Sequence, residues 1–81
     1  MDANAHIPDA EVEQDIADTE REVARWRRES EALLKTAEVF GDRVARMRFE
    51  TREARIKEAE AFIEKLRGLL AQRRAEREAA S

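Results

Sequence analysis

Few side chains in this sequence have the types and spacing that chemistry requires. His6 is the single histidine and stands near Asp2 and Asp9, a set that could hold a metal ion or act as a general base. A metal site needs a second imidazole or a thiolate at ligand spacing, and the chain has neither, so His6 reads as a solvated tail residue. Carboxylates are plentiful, and Glu58 with Glu60, or Glu50 with Glu53, could be cast as an acid–base pair. Such pairs work only in a pocket that drives two pKa values apart, which two helices alone do not build. The acids alternate instead with bases at helical steps, as in Glu53 with Lys57 and Glu31 with Lys35, the pattern of a salt-bridged solvent face. There is no cysteine, no glycine-rich phosphate loop, no HExxH and no Ser/His/Asp set. The residues point to a non-enzymatic protein with no catalytic site, no cofactor and no metal.

A second group of candidates is cationic. Arg43, Arg46 and Arg48 form one stretch, and Arg73, Arg74 and Arg77 form another. These are the candidate contacts for nucleic acid, and a small nucleic-acid-binding regulator is the alternative function. No aromatic residues are interleaved to stack bases, and acids are mixed among the arginines, so no broad positive stripe develops. A protein partner, or a second copy of the chain, is the preferred expectation.

These residues must be positioned by a small scaffold. The chain has 81 residues and a net charge of −3; 43% of it is charged and 5% aromatic. Ala, Glu, Arg and Leu dominate, all good helix formers, so the class expected is all-α. Residues 1–20 carry seven acids and no Lys or Arg, whereas residues 21–48 carry eight bases and five acids. The longest apolar runs are three residues, such as Ala61-Phe62-Ile63, far below the ~20 that a membrane span needs. With no basic and then apolar leader at the start, a cytoplasmic location is expected.

Along the chain, residues 1–8 lack periodicity and are expected to be a disordered tail. Pro8-Asp9 is a helix-start signal. From there the apolar positions alternate steps of four and three: Val12, Ile16, Thr19, Val23, Trp26, Ser30, Leu33, Ala37, Phe40. That is the seam of a coiled coil, predicting helix 1 over 9–40. Gly41-Asp42 interrupts as a turn, glycine ending one helix and aspartate capping the next. A second seam runs through Ala45, Phe49, Arg52, Ile56, Ala59, Ile63, Leu66 and Leu70, predicting helix 2 over 43–76 and a frayed end at 77–81.

The two seams match when the chain folds back on itself. Val12 then faces Leu70, Ile16 faces Leu66, Val23 faces Ala59, Trp26 faces Ile56, Ser30 faces Arg52 and Leu33 faces Phe49, with Gly41 at the centre. An antiparallel two-helix coiled-coil hairpin is therefore expected, about 45 Å long for arms of about 30 residues at 1.5 Å each. The rival, one continuous helix, rests on the first stripe continuing in phase beyond Gly41. In the hairpin, simple apposition brings Glu13 to Arg67, Arg27 to Glu53 and Glu29 to Arg55, and sets Glu20 against Glu60. Arg52 on the seam is expected to snorkel its charge to the edge.

A lone hairpin leaves apolar residues over. Leu34, Phe62 and Leu69 flank the seam, and Val39, Phe40, Val44 and Met47 cluster near the turn. Surplus apolar surface on a chain too short for a large core predicts assembly into a helical bundle, with itself or with a partner. The function expected is that of an adaptor or structural protein.

Overall fold

The computed structural model describes residues 7–80, so residues 1–6 of the expected tail, and Ser81, lie outside the described residues. Ile7, expected in the disordered tail, is half-buried against the core, its carbonyl accepting from Arg73 at 2.7 Å. Two helices account for nearly all of the described chain, α1 (Asp9–Phe40) and α2 (Arg43–Ala80), packed on each other as an antiparallel hairpin. Each end has a local cause. The carbonyl of Pro8 accepts hydrogen bonds from the amides of Glu11 and Val12 (3.0 and 3.2 Å), while Asp9 and Glu11 place negative charge at the positive end of the α1 dipole. At the other end Gly41 adopts the left-handed conformation (φ 62°, ψ 30°), which reverses the chain at the steric cost only glycine escapes. Asp42 then caps α2, its Oδ1 accepting from the amides of Val44 and Ala45 at 2.9 and 3.2 Å.

The core is a single seam. Val12, Ile16, Val23, Ile56 and Ile63 are buried and in contact, with Trp26, Ala59, Leu66, Leu69 and Leu70 packed against them half-buried. Toward the turn the layer shrinks to the buried Ala37 and Ala45, flanked by half-buried Leu33 and Phe49. Phe40, the last position of the α1 stripe, has no layer left to join and is 78% exposed.

Three further expectations are corrected. The hairpin measures 61 × 20 × 17 Å rather than about 45 Å in length, because α2 runs for 38 residues. Residues 77–80 are helical rather than frayed, and Arg77 is bonded to Asp9 at 2.7 Å, which ties the last turn of α2 to the first of α1. The flanking charges also pair differently. Arg27 meets Glu60 (2.8 Å) and Arg67 meets Glu20 (3.2 Å), so the expected Glu20–Glu60 clash is replaced by two attractive pairs. The reason is the lean of side chains toward the N-terminus of their own helix. In an antiparallel pair that lean carries Arg27 and Glu60 toward each other and carries Arg27 and Glu53 apart. Exposed pairs of this kind stabilise by only ~0.2–1 kcal/mol each.

The two glycines should respond oppositely to alanine. A Cβ meets nothing within 4 Å at either position, so contacts do not decide the outcome. Gly68 lies inside α2, where Ala is favoured by roughly 1 kcal/mol, and Gly68→Ala should raise the melting temperature. Gly41 sits at positive φ, where a side chain costs roughly 1–2 kcal/mol, and Gly41→Ala should lower it. Thermal melts of the two variants at one concentration check both signs.

Candidate functional site

The two long faces of the hairpin differ. On one, the helices are stapled across the seam by Arg27–Glu60 and Arg67–Glu20, and the groove there is lined by Glu20, Arg27, Glu60, Glu64 and Arg67 over Val23 and Ile63. On the other, near the turn, Ala32, Leu33, Thr36, Val44, Met47 and Thr51 line an open groove of about 910 Å³ together with Glu29, Arg48, Arg52 and Arg55. Among the described residues a single ion pair, Arg52 with Glu29 at 3.3 Å, crosses between the helices there. The hydroxyls of Thr36 and Thr51 donate to the carbonyls of Ala32 and Met47 on their own helices, both at 3.0 Å, so the groove holds few unsatisfied donors. Val44 and Met47 are 57% and 66% exposed. An apolar, roughly concave surface of this kind can bind the apolar face of another helix.

The seam residues sit together inside the hairpin: Val12, Ile16, Val23, Ile56 and Ile63 buried, and Trp26, Leu33, Phe49, Leu66 and Leu70 half-buried. Of the surplus apolar residues, Val39, Phe40, Val44, Met47 and Phe62 are exposed, whereas Leu34 and Leu69 are half-buried and Leu69 already packs on the core. The arginines fall into two groups at opposite ends of the rod. Arg43, Arg46 and Arg48 are exposed beside the turn. At the open end Arg73 and Arg77 bind Asp9 (2.9 and 2.7 Å), Arg73 also donating to the Ile7 carbonyl at 2.7 Å, and Arg74 is exposed next to them.

Two local constellations were not legible in the spacing. Ser30 is 1% exposed, and its hydroxyl donates to the Glu53 carboxylate at 2.6 Å. Arg52, which faces Ser30 along the seam, turns to Glu29 at 3.3 Å with its side chain 30% exposed. The middle of the hairpin thus contains one polar layer in which every buried side-chain polar atom is satisfied, among the described residues. Next to it Arg55 lies over the Trp26 ring, 5.8 Å from its centroid, instead of reaching Glu29.

Asp9 is the one described group with a perturbed titration: hydrogen bonds from Arg73, then Arg77, together with their charges, hold its carboxyl below the ordinary aspartate range. Because the folded pKa lies below the unfolded value of about 3.9, the stabilisation is present above that value and is lost as pH falls through the folded pKa. Asp9→Asn should therefore melt earlier than the native chain at pH 7, and the difference should shrink below about pH 4. An NMR titration of the Asp9 carboxyl carbon should give a midpoint under the ordinary value.

Among the described residues no group of three or more His, Asp or Glu is arranged to hold a metal ion, and no helix is long and apolar enough to cross a membrane. Compared with known protein families, with curated proteins and with solved structures, the chain has no match in any of the three.

Proposed function

We propose that the chain is a non-enzymatic helical-hairpin adaptor or structural protein that mediates protein–protein assembly through its open apolar face. One observation carries the reading: Val39, Phe40, Val44 and Met47 stand 57–78% exposed around one end of a rod whose opposite long face is closed by ion pairs. Large apolar side chains clustered in water are costly at ~25 cal/mol per Å², and covering them is the favourable step available to this surface. The core beneath is one seam thick, so association should also stabilise the fold by mass action.

The test couples self-association to partner capture. The melting temperature should rise with protein concentration or with added partner, and Met47→Glu should abolish that rise while leaving the helical circular dichroism intact. In extracts of the native host, the immobilised chain should retain a protein that the Met47→Glu variant does not. If neither self-association nor retention depends on the apolar face, the adaptor reading is wrong.

The nucleic-acid alternative has less to rest on, because its six arginines form two separated groups and two of them are engaged by Asp9. Its signature would be binding to generic RNA or DNA with a steep salt dependence.

A further inference from the structure

Proceeding from the adaptor reading, we infer that the occupant of the open face is a second copy of this chain, docked with both turns at the same end and with α1 of each copy lying along α2 of the other. The inference rests on two rows of exposed residues that form no hydrogen bond or ion pair from one helix to the other among the described residues. On α1, seven-residue steps from the groove-lining Ala32 reach Arg25, Asp18 and Glu11 toward the open end and Val39 toward the turn. On α2, the same steps from the groove-lining Val44 and Thr51 reach Glu58, Lys65 and Gln72. All ten are exposed, and a seven-residue step keeps each row on one line of helices packed with coiled-coil periodicity.

The rows are complementary level by level. Aligning the two seams about Gly41 puts Val23 level with Ala59 and Trp26 level with Ile56, and the cross-helix bonds of Ser30 to Glu53 and of Arg73 to Asp9 agree with that register. A two-fold axis along the rod preserves every height, so α1 of one copy meets α2 of the other in that same register. Val39 then faces the second copy's Val44, and Ala32 faces Thr51, small residues that let the helices approach near the turn. Further along, Arg25 faces Glu58 and Asp18 faces Lys65. Glu58 and Lys65 form no ion pair within the hairpin among the described residues, Arg25 has only a 3.4 Å contact with Glu22 one turn away, and Asp18 is bound only by Arg21 and Gln14 of its own helix. Phe62, 46% exposed and seven residues from the groove-lining Arg55, is covered in the same arrangement.

Other arrangements lack this match. Copies pointing in opposite directions would lay the acidic open half of α1 on the apolar turn end, or on itself. On the stapled face, the equivalent α1 and α2 rows would set Glu31 against Glu50 and offer one attractive pair, Glu38 with Arg43, where the open face offers two attractive pairs and no repulsive one. Charge and apolarity together thus select one face and one direction.

The chain has no cysteine, so single-cysteine variants report orientation cleanly. Asp18→Cys and Lys65→Cys chains, mixed and treated with a short bis-maleimide, should give a cross-linked heterodimer, while Asp18→Cys alone should cross-link poorly with itself. Sedimentation should show a dimer that Arg25→Glu weakens by about tenfold, since each contact occurs twice, and that adding Glu58→Arg on the same chain restores. Circular dichroism of these surface variants should remain that of the native chain. A dimer in which Asp18→Cys joins to itself, or in which the double charge swap fails to restore affinity, overturns the arrangement. A strictly monomeric chain overturns the self-docking inference; if that monomer still retains another protein through Met47, the adaptor reading survives without it.

Discussion

Ile56→Ala should cost the hairpin ~2–5 kcal/mol, a large share of what so small a domain has. Ile56 is 2% exposed and belongs to the buried cluster against which Trp26 packs. Nothing behind it can collapse into the space, because the hairpin is one layer thick and the other wall is solvent. By size alone, Trp26 is the residue to choose, and Trp26→Ala should also be severe. The structure tempers that expectation: Trp26 is half-buried, one face of its ring covered by Arg55 rather than by core. Its truncation should fall at or below the low end of the ~3–5 kcal/mol for a buried aromatic. The two positions share a layer, so the double variant should lose less than the two single losses added together. Urea melts of the three variants, at a concentration where the chain has one oligomeric state, give the comparison. An Ile56→Ala variant that melts like the native chain would show that the packing around this layer is assigned incorrectly.

The polar layer should yield two leucine substitutions with opposite signs. Ser30→Leu inserts a large side chain at a site with 1% exposure and removes the hydroxyl that Glu53 accepts from. Overpacking of this kind costs ~1–3 kcal/mol, and the displaced carboxylate must find water elsewhere. Arg52→Leu replaces a seam charge by a shorter, apolar side chain and should stabilise the hairpin. Its gain is limited, on the order of 1 kcal/mol, because Arg52 already has Glu29 at 3.3 Å and keeps part of its side chain in water. A polar layer also fixes register, and an all-apolar seam specifies its partner less well. Arg52→Leu should therefore melt higher and sediment as a broader distribution of species. Stabilisation by Ser30→Leu would contradict the tight packing of the layer.

Much of the fold was written along the chain in one dimension. The four-three recurrence from Val12 to Phe40 and from Ala45 to Leu70, broken by a Gly-Asp pair, specifies two helices and a reversal, because helical period and the left-handed preference of glycine are local properties. The two seams can also be aligned about Gly41, and the cross-helix bonds of Ser30 to Glu53 and of Arg73 to Asp9 are compatible with that alignment. What needed the tertiary structure is everything beside the seam. Whether Arg27 binds Glu53 or Glu60 depends on which way each side chain leans along its own helix, and simple apposition of numbers chose wrongly. Ser30 and Arg52 face each other in the register yet bond to Glu53 and Glu29, because each group takes the partner within reach of its polar atom. Asp9, a helix-start residue by sequence, became the clamp for Arg73 and Arg77 only when the two ends of the chain met. The difference between a stapled face and an open one arose in the same way. A periodic sequence states which residues flank the seam, and only packing in three dimensions decides which flank is bridged by Arg27–Glu60 and Arg67–Glu20 and which keeps Val44 and Met47 exposed.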